Sequence, residues 1–242
     1  MRRRFFVLGF QNGRAVMAGE AAYHLGHVLR AHTGQLLELS DGQNVWLGEV
    51  EKVTRERIEF KLVEKLPAHF PSTEITLLLS IVKFDAFEWA LEKATELGIS
   101  RIVPVAAVRS EKALLKAAPK RADRWKKILL GAAEQSRRVS APSLEKVTEP
   151  EQAFASASAE IKLLLSERQD APSMRSMLEG KFPSSVALAA GPEGGWSDPE
   201  FSQAERADFL QASMGSLILR TETAVIAALA NLNYALSRPN AP

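Results

Sequence analysis

The sequence predicts an α/β protein: a domain with a mainly parallel sheet and helices on both sides, preceded by a small antiparallel β-barrel. Three observations lead there. Up to Leu66, apolar and polar residues alternate with β-branched and aromatic enrichment, the period-2 pattern of half-buried strands. Beyond Pro71, short continuous apolar runs are interleaved with segments of helical spacing, as in a sheet buried on both faces. Between them, Leu66-Pro67-Ala68-His69-Phe70-Pro71-Ser72 holds two prolines, each of which pushes its predecessor toward extended backbone. The predicted domains are therefore residues 1–70 and 71–242.

In the first domain, Met1-Arg2-Arg3-Arg4-Phe5-Phe6-Val7-Leu8-Gly9-Phe10 imitates a secretory leader, but its apolar run is cut short by Gln11-Asn12-Gly13-Arg14, and it reads as a strand. A short helix is expected at 20–29. Strands are expected at 36–39, 45–50 and 57–62, with Ser40-Asp41-Gly42 as the turn of a hairpin. In the second domain the run 75–82 reads as a buried strand. Phe84, Phe87, Leu91 and Ala94 then fall at helical spacing, with Gly98 as the C-cap. Further strands are predicted at 101–107, 161–165, 186–190 and 209–212, and helices near 118–138, 150–158, 198–207 and 222–236.

Composition narrows the chemistry. The 242 residues include no cysteine, which excludes a disulfide framework, a thiolate nucleophile and a zinc site built on Cys, and fits a reducing cytoplasm. The four histidines (His24, His27, His32, His69) lie in or next to the first domain, so no Ser-His-Asp set is expected in the second. His24 and His27 are too few for a metal site; hydrogen bonding or RNA contact is the expected use. The longest uncharged apolar stretch, 223–237, is shorter than the ~20 residues of a membrane span and contains Asn231 and Asn233. Net charge is only +2, yet residues 101–146 carry twelve Lys and Arg against four Asp and Glu. This is either a face for a polyanion or a solvated basic helix.

Two glycine-containing loops are the chemically distinctive part. Each follows an apolar run and each enters a helix. In Ala190-Gly191-Pro192-Glu193-Gly194-Gly195-Trp196-Ser197-Asp198-Pro199-Glu200, Ser197 and Glu200 form a capping box with a proline in the first turn. The glycines before it let main chain come close to a nucleoside-like ligand, or merely turn the chain. The loop is neither a P-loop nor the dinucleotide fingerprint. The second loop is Met214-Gly215-Ser216-Leu217-Ile218-Leu219-Arg220-Thr221-Glu222-Thr223-Ala224, where Thr221 can cap the next helix. Arg220 opposes the helix dipole there, so it either pairs with Glu222 or Glu193 or contacts substrate. The following helix is apolar nearly all round, and a symmetric dimer would bury its second side.

These residues carry a resemblance. The matching pieces are Arg4-Phe5-Phe6, His27-Val28-Leu29-Arg30 with Gly34 and Asp41-Gly42, Lys93-Ala94-Thr95-Glu96-Leu97-Gly98, Glu134-Gln135-Ser136-Arg137-Arg138, Gly191-Pro192-Glu193-Gly194-Gly195 and Leu219-Arg220-Thr221-Glu222-Thr223-Ala224. Over essentially its whole length the chain resembles the ribosomal RNA small-subunit methyltransferase E family, of the SPOUT class of knotted methyltransferases. The resemblance implies a PUA-like RNA-binding barrel, a trefoil-knotted α/β domain, a homodimer without a metal, and S-adenosylmethionine in the knot loops. The implied reaction is methylation of N3 of a uridine in the decoding region of 16S rRNA, on the RNA or on the small ribosomal subunit. Leu217 stands where the family often has a basic residue.

A cation near the carbonyl oxygens would stabilise the uracil anion as N3 loses its proton, so Arg220 and Arg4, the latter holding RNA phosphate or base, are the expected catalytic residues. Leu165, Gly191, Pro192, Glu193, Gly194, Gly195, Ser216, Leu217, Ile218, Leu219 and Thr221 are expected around the cofactor, and Arg4, Arg30, Lys83, Arg137 and Arg138 on RNA. The competing readings are a ribose 2′-O methyltransferase of transfer RNA and a non-enzymatic ribosome-assembly factor that binds RNA through 101–146.

Overall fold

The computed structural model describes residues 3–168 and 170–236; Met1 and Arg2 of the opening basic run, and Ser237 at the end of the apolar stretch, lie outside them. The chain divides into two units: Met1–Phe70 with Gly131–Ala141, and Pro71–Leu130 with Pro142–Pro242. One division between the units falls at Phe70/Pro71, within the segment that holds the two prolines. The return of Gly131–Ala141 to the first unit is not visible in the sequence.

The first unit is a curled six-stranded sheet. Its strands are β1 (Arg4–Phe6), β2 (Phe10–Gln11), β3 (Arg14–Ala18), β4 (Leu36–Ser40), β5 (Val45–Val53) and β6 (Arg57–Leu66), in the order β1-β4-β5-β6-β3-β2. Only the β1–β4 pair is parallel. Period-2 patterning places Ile58 and Phe60 of β6 inside with Leu37, Leu39 and Val50, and their burial contributes about 2 kcal/mol or more per large side chain. The residues read as an interruption of the first strand, Asn12-Gly13, form the turn between β2 and β3, both at positive φ (50° and 71°). Asn-Gly is the ordinary sequence signal for such a hairpin. The expected helix at 20–29 is a one-turn α1 (Gly19–Tyr23) running into a π-helical turn, His24–Val28.

Arg4 is 7% exposed, and its Nε and Nη2 donate to Glu38 Oε2 at 3.2 and 3.0 Å. Its Nη1 donates to the Arg137 carbonyl at 2.6 Å, and the Arg137 guanidinium also pairs with Glu38. Ser40 Oγ donates to the Val139 carbonyl at 2.6 Å. These bonds hold Gly131–Ala141 to the first unit. Arg4, expected on RNA and in catalysis, thus spends three of its five N–H donors on contacts within the first unit.

The second unit is an all-parallel sheet in the order β12-β10-β11-β7-β8-β9. Its strands are β7 (Glu74–Ser80), β8 (Arg101–Val105), β9 (Ser143–Leu144), β10 (Ile161–Leu165), β11 (Ser185–Ala190) and β12 (Leu210–Ala212). Along β7, Leu77 and Leu79 join the core that contains Phe87, Leu91 and Leu229. Leu78 joins the opposite one, with Phe154, Trp196, Phe201 and Phe209. That is why β7 reads as a continuous apolar run rather than an alternating one.

The helices are α2 (Phe84–Glu96), α3 (Lys112–Ala117), α4 (Ala122–Gln135), α5 (Pro150–Ser156), α6 (Met174–Leu178), α7 (Asp198–Arg206) and α8 (Thr221–Leu236). The single helix expected at 118–138 instead begins with α3 and a 3-10 turn, Ala118–Arg121, at Pro119, whose ring cannot sit in a helix interior. Helix α6, absent from the sequence reading, is capped by Ser173 Oγ accepting from Ser176 N at 3.2 Å. The basic segment 101–146 is not one free face: Arg121 and Arg124 both pair with Glu88, at 3.2 and 2.8 Å. No helix of the described residues is long and apolar enough to cross a membrane.

Candidate functional site

Strands β12, β10 and β11 lie side by side, and the segments leaving their carboxyl ends enclose a cavity of about 240 Å³. Leu165, Ser166 and Glu167 line it from β10, residues 190–196 from β11, residues 214–219 from β12, and Thr221 and Ala224 from the start of α8. Crevices at strand carboxyl ends are where open α/β sheets take ligands. Every residue expected around the cofactor is in this lining: Leu165, Gly191, Pro192, Glu193, Gly194, Gly195, Ser216, Leu217, Ile218, Leu219 and Thr221.

The first loop is held closely by its neighbours. Gly195 N donates to the Pro192 carbonyl at 2.8 Å, closing a turn in which Gly195 has φ +69°. A Cβ at Gly195 would stand 2.3 Å from Glu167 Oε1, and one at Gly194 3.3 Å from the Arg109 side chain. Gly191 packs against the buried indole of Trp196, whose N–H has no hydrogen-bond partner among the described residues. Arg109 Nη1 donates to the carbonyls of Gly194 (2.7 Å) and Trp196 (3.2 Å). The Glu200 carboxylate, 1% exposed, accepts from Ser197 N and Ser197 Oγ at 2.7 Å and from Val108 N at 2.9 Å. The expected capping box is therefore present, and it also ties the segment after β8 to the start of α7.

The second loop is more open: Leu217 and Ile218 are 80% and 85% exposed. Thr221 does not act as the expected cap. It is the first residue of α8, and its Oγ1 donates to the Gly191 carbonyl at 2.9 Å, joining the two loops. Arg220, between Leu219 and Thr221, is exposed, and among the described residues no ion pair or hydrogen bond reaches its side chain. Of the two readings of Arg220, the salt bridge with Glu222 or Glu193 is not the one realised.

The remaining expected residues lie elsewhere. Lys83 is exposed immediately before α2, and Arg30 is exposed in the first unit. Arg137 is tied to Glu38, while burial lowers the pKa of Arg138, whose Nε donates to the Ser140 carbonyl at 3.1 Å. The sequence reading missed Arg109, Ser166 and Glu167. Nothing local marks them, since they reach the glycine loop only through the side-by-side placement of parallel strands.

Residues 69–233 match the model of the RNA methyltransferase domain family, and residues 18–63 that of the RNA methyltransferase PUA domain. Ribosomal RNA small subunit methyltransferase E of Synechocystis sp. is 32% identical over 88% of this chain and 71% of its own length. The protein of the same name from Bacillus subtilis is 30% identical over 90% and 89%. Among solved structures, a methyltransferase of Legionella pneumophila in complex with bound SAM superposes with a TM-score of 0.87 at 30% identity, covering 97% of this chain and 98% of the other. Ribosomal RNA small subunit methyltransferase E of Neisseria gonorrhoeae, bound to S-adenosyl methionine, gives 0.86 at 29% identity, with the same coverage. With both parts of the chain matched and relatives aligned along most of its length, this protein belongs to the ribosomal RNA small subunit methyltransferase E family.

Proposed function

We propose that the chain transfers a methyl group from S-adenosylmethionine to N3 of a uridine in small-subunit ribosomal RNA. One observation carries the reading: two glycine-containing loops, tied by Thr221, line a single cavity beside Arg220, a cation with no partner among the described residues. Main chain at 191–195 and 216–219 would hold the cofactor, since both segments line the cavity and the absence of Cβ atoms at Gly194 and Gly195 lets Arg109 and Glu167 pack against the first loop. When bound, the sulfonium supplies an electrophilic methyl carbon. The protein's part is then positioning, since in-line attack needs no metal, only approach and exclusion of water.

Uracil N3 becomes nucleophilic on losing its proton. Arg220, exposed next to the cavity, would stabilise the anion at the carbonyl oxygens. Glu193 and Glu167 line the cavity while Glu222 is outside the lining, which supports a lining carboxylate or water, rather than Glu222, as the proton acceptor. N3 lies on the pairing edge, and the target base must be unpaired or drawn from its stack. The exposed basic residues Arg30, Lys83 and Arg137 are candidates for RNA contact.

The knot and the dimer belong to the same proposal. Strand β12 pairs on the far side of β10, yet the chain after it comes back to Gly191 at the end of β11, which supports loops threaded through one another. On α8, Ala230 and Tyr234 are exposed, as is Trp89 on α2, which supports a helix face covered by a second copy in a homodimer. We place the enzyme in the cytoplasm with its ribosomal substrate.

The test is transfer from isotopically labelled S-adenosylmethionine to small subunits or naked rRNA from cells lacking the activity, followed by mass spectrometry of the nucleosides. 3-Methyluridine is expected. A 2′-O-methyl nucleoside, or no transfer, would overturn the reading.

A further inference from the structure

We propose that the outward face of residues 23–30 is a stacking platform for an unpaired base of the RNA, with Arg30 taking a neighbouring phosphate. This rests on the reading that the chain acts on RNA. The segment faces inward at Ala22 (0% exposed) and Leu25 (2%), and a Cβ on Gly26 would meet Val53 Cγ1 at 3.2 Å and Ile58 Cδ1 at 3.7 Å. Tyr23, His24, His27, Val28, Leu29 and Arg30 are left facing out.

The rings of Tyr23 and His27 stack on each other, with centroids 4.5 Å apart and planes 13° from parallel. Tyr23 is 47% exposed and Val28 58%. A pre-stacked pair is a flat, already ordered surface for a base, and such stacking is sequence-tolerant because every base has a π-face.

The charge pattern favours an anionic partner. Residues 21–37 contain three of the four histidines and Arg30, and no carboxylate. The nearest acid along the chain is Glu20, in the first turn of α1.

The backbone supplies an independent argument. Ala31 N donates to the Leu25 carbonyl at 3.0 Å, ending the helical segment with Arg30 in the left-handed region at φ +56°. Glycine is the residue that fits such a position without strain. Arg137 holds the same backbone at φ +58° and spends its guanidinium on Glu38, whereas among the described residues no hydrogen bond or ion pair reaches the side chain of Arg30, which leaves it available to a ligand. The π-helical turn His24–Val28 sits beside it, and turns of this kind occur often at functional sites.

The test is fluorescence anisotropy with a labelled ten-nucleotide single-stranded RNA, across a salt series, using the full chain. Tyr23→Ala should weaken binding about tenfold while leaving the slope of log K against log salt unchanged, and Tyr23→Phe should bind as the parent does. Arg30→Gly should weaken binding, lower the salt slope by about one and raise the thermal midpoint. That combination cannot arise from damage to the fold. Unchanged affinity in both Tyr23→Ala and Arg30→Gly would overturn the proposal, as it would if this face docks a protein. Methyl transfer to small subunits, measured on the same variants, separates the two readings. A parent protein that binds the RNA through this face but transfers no methyl group refutes the activity alone; a parent that methylates while the variants bind unchanged refutes the platform alone.

Discussion

Arg109 Nη1 donates to the carbonyl of Gly194 at 2.7 Å across 85 residues of sequence, and to that of Trp196 at 3.2 Å. Bridging two carbonyls fixes the loop's curvature with one planar cation. Arg109→Ala should raise the dissociation constant for S-adenosylmethionine about tenfold in calorimetric titration. The loss in unfolding free energy should stay below about 1 kcal/mol, since the side chain is exposed. Unchanged affinity would mean that the loop holds its shape without the clamp.

Gly195→Ala introduces a Cβ at φ +69° that would collide with Glu167 Oε1. The strained backbone costs about 1 kcal/mol, and relieving the collision requires the carboxylate or the loop to move. Loss of cofactor binding is expected. Glu167→Ala in the same chain should restore part of it, by removing the collision but not the backbone strain. No restoration would place the defect in the backbone alone.

Arg220→Ala should lower kcat by roughly 10²-fold or more while the cofactor dissociation constant stays within about twofold, because a cation acting on developing negative charge contributes to the transition state rather than to cofactor binding. A weakened cofactor affinity with unchanged kcat would contradict the role assigned to it.

Glu38 stands between two guanidiniums, with its side chain 5% exposed. Glu38→Ala should destabilise the protein by about 3–5 kcal/mol in urea unfolding, because it strands the buried Arg4 without a counter-charge. Arg4→Met should cost less, since Arg137 still neutralises Glu38. An equal or larger loss for Arg4→Met would show that packing, not charge, dominates there.

Burial pushes the Glu134 carboxyl from 4.5 up to about 7, against an opposing pull from Arg3. Between those values the folded chain holds a proton that the unfolded chain has released, so this group's contribution favours folding at low pH and is lost as pH rises from about 4.5 to about 7. Glu134→Gln should flatten that part of the stability profile and raise stability at pH 8. A profile identical to the parent's would show that Glu134 ionises as in water.

Legibility in the sequence followed the range of the interactions involved. Strands β4 to β7, the helix of Phe87 and Leu91, the Ser197–Glu200 capping box and both glycine loops are local patterns of period, turn chemistry and capping, and all were readable. Asn12-Gly13 is a hairpin signal of the same local kind. The helix α6, one turn long and held by Ser173, is too short to leave a periodic signal.

By itself the sequence determined the class and the residues of the two loops, because alternation and glycine act on the chain within a few residues. Only the tertiary structure decided that those loops face one cavity, that Thr221 bonds Gly191 instead of capping a helix, and that Arg4 is buried on Glu38 while Arg220 has no partner among the described residues. Each of those outcomes joins residues about 30 or more positions apart, and whether a guanidinium finds a carboxylate depends on which strands become neighbours, a fact that no window of sequence contains.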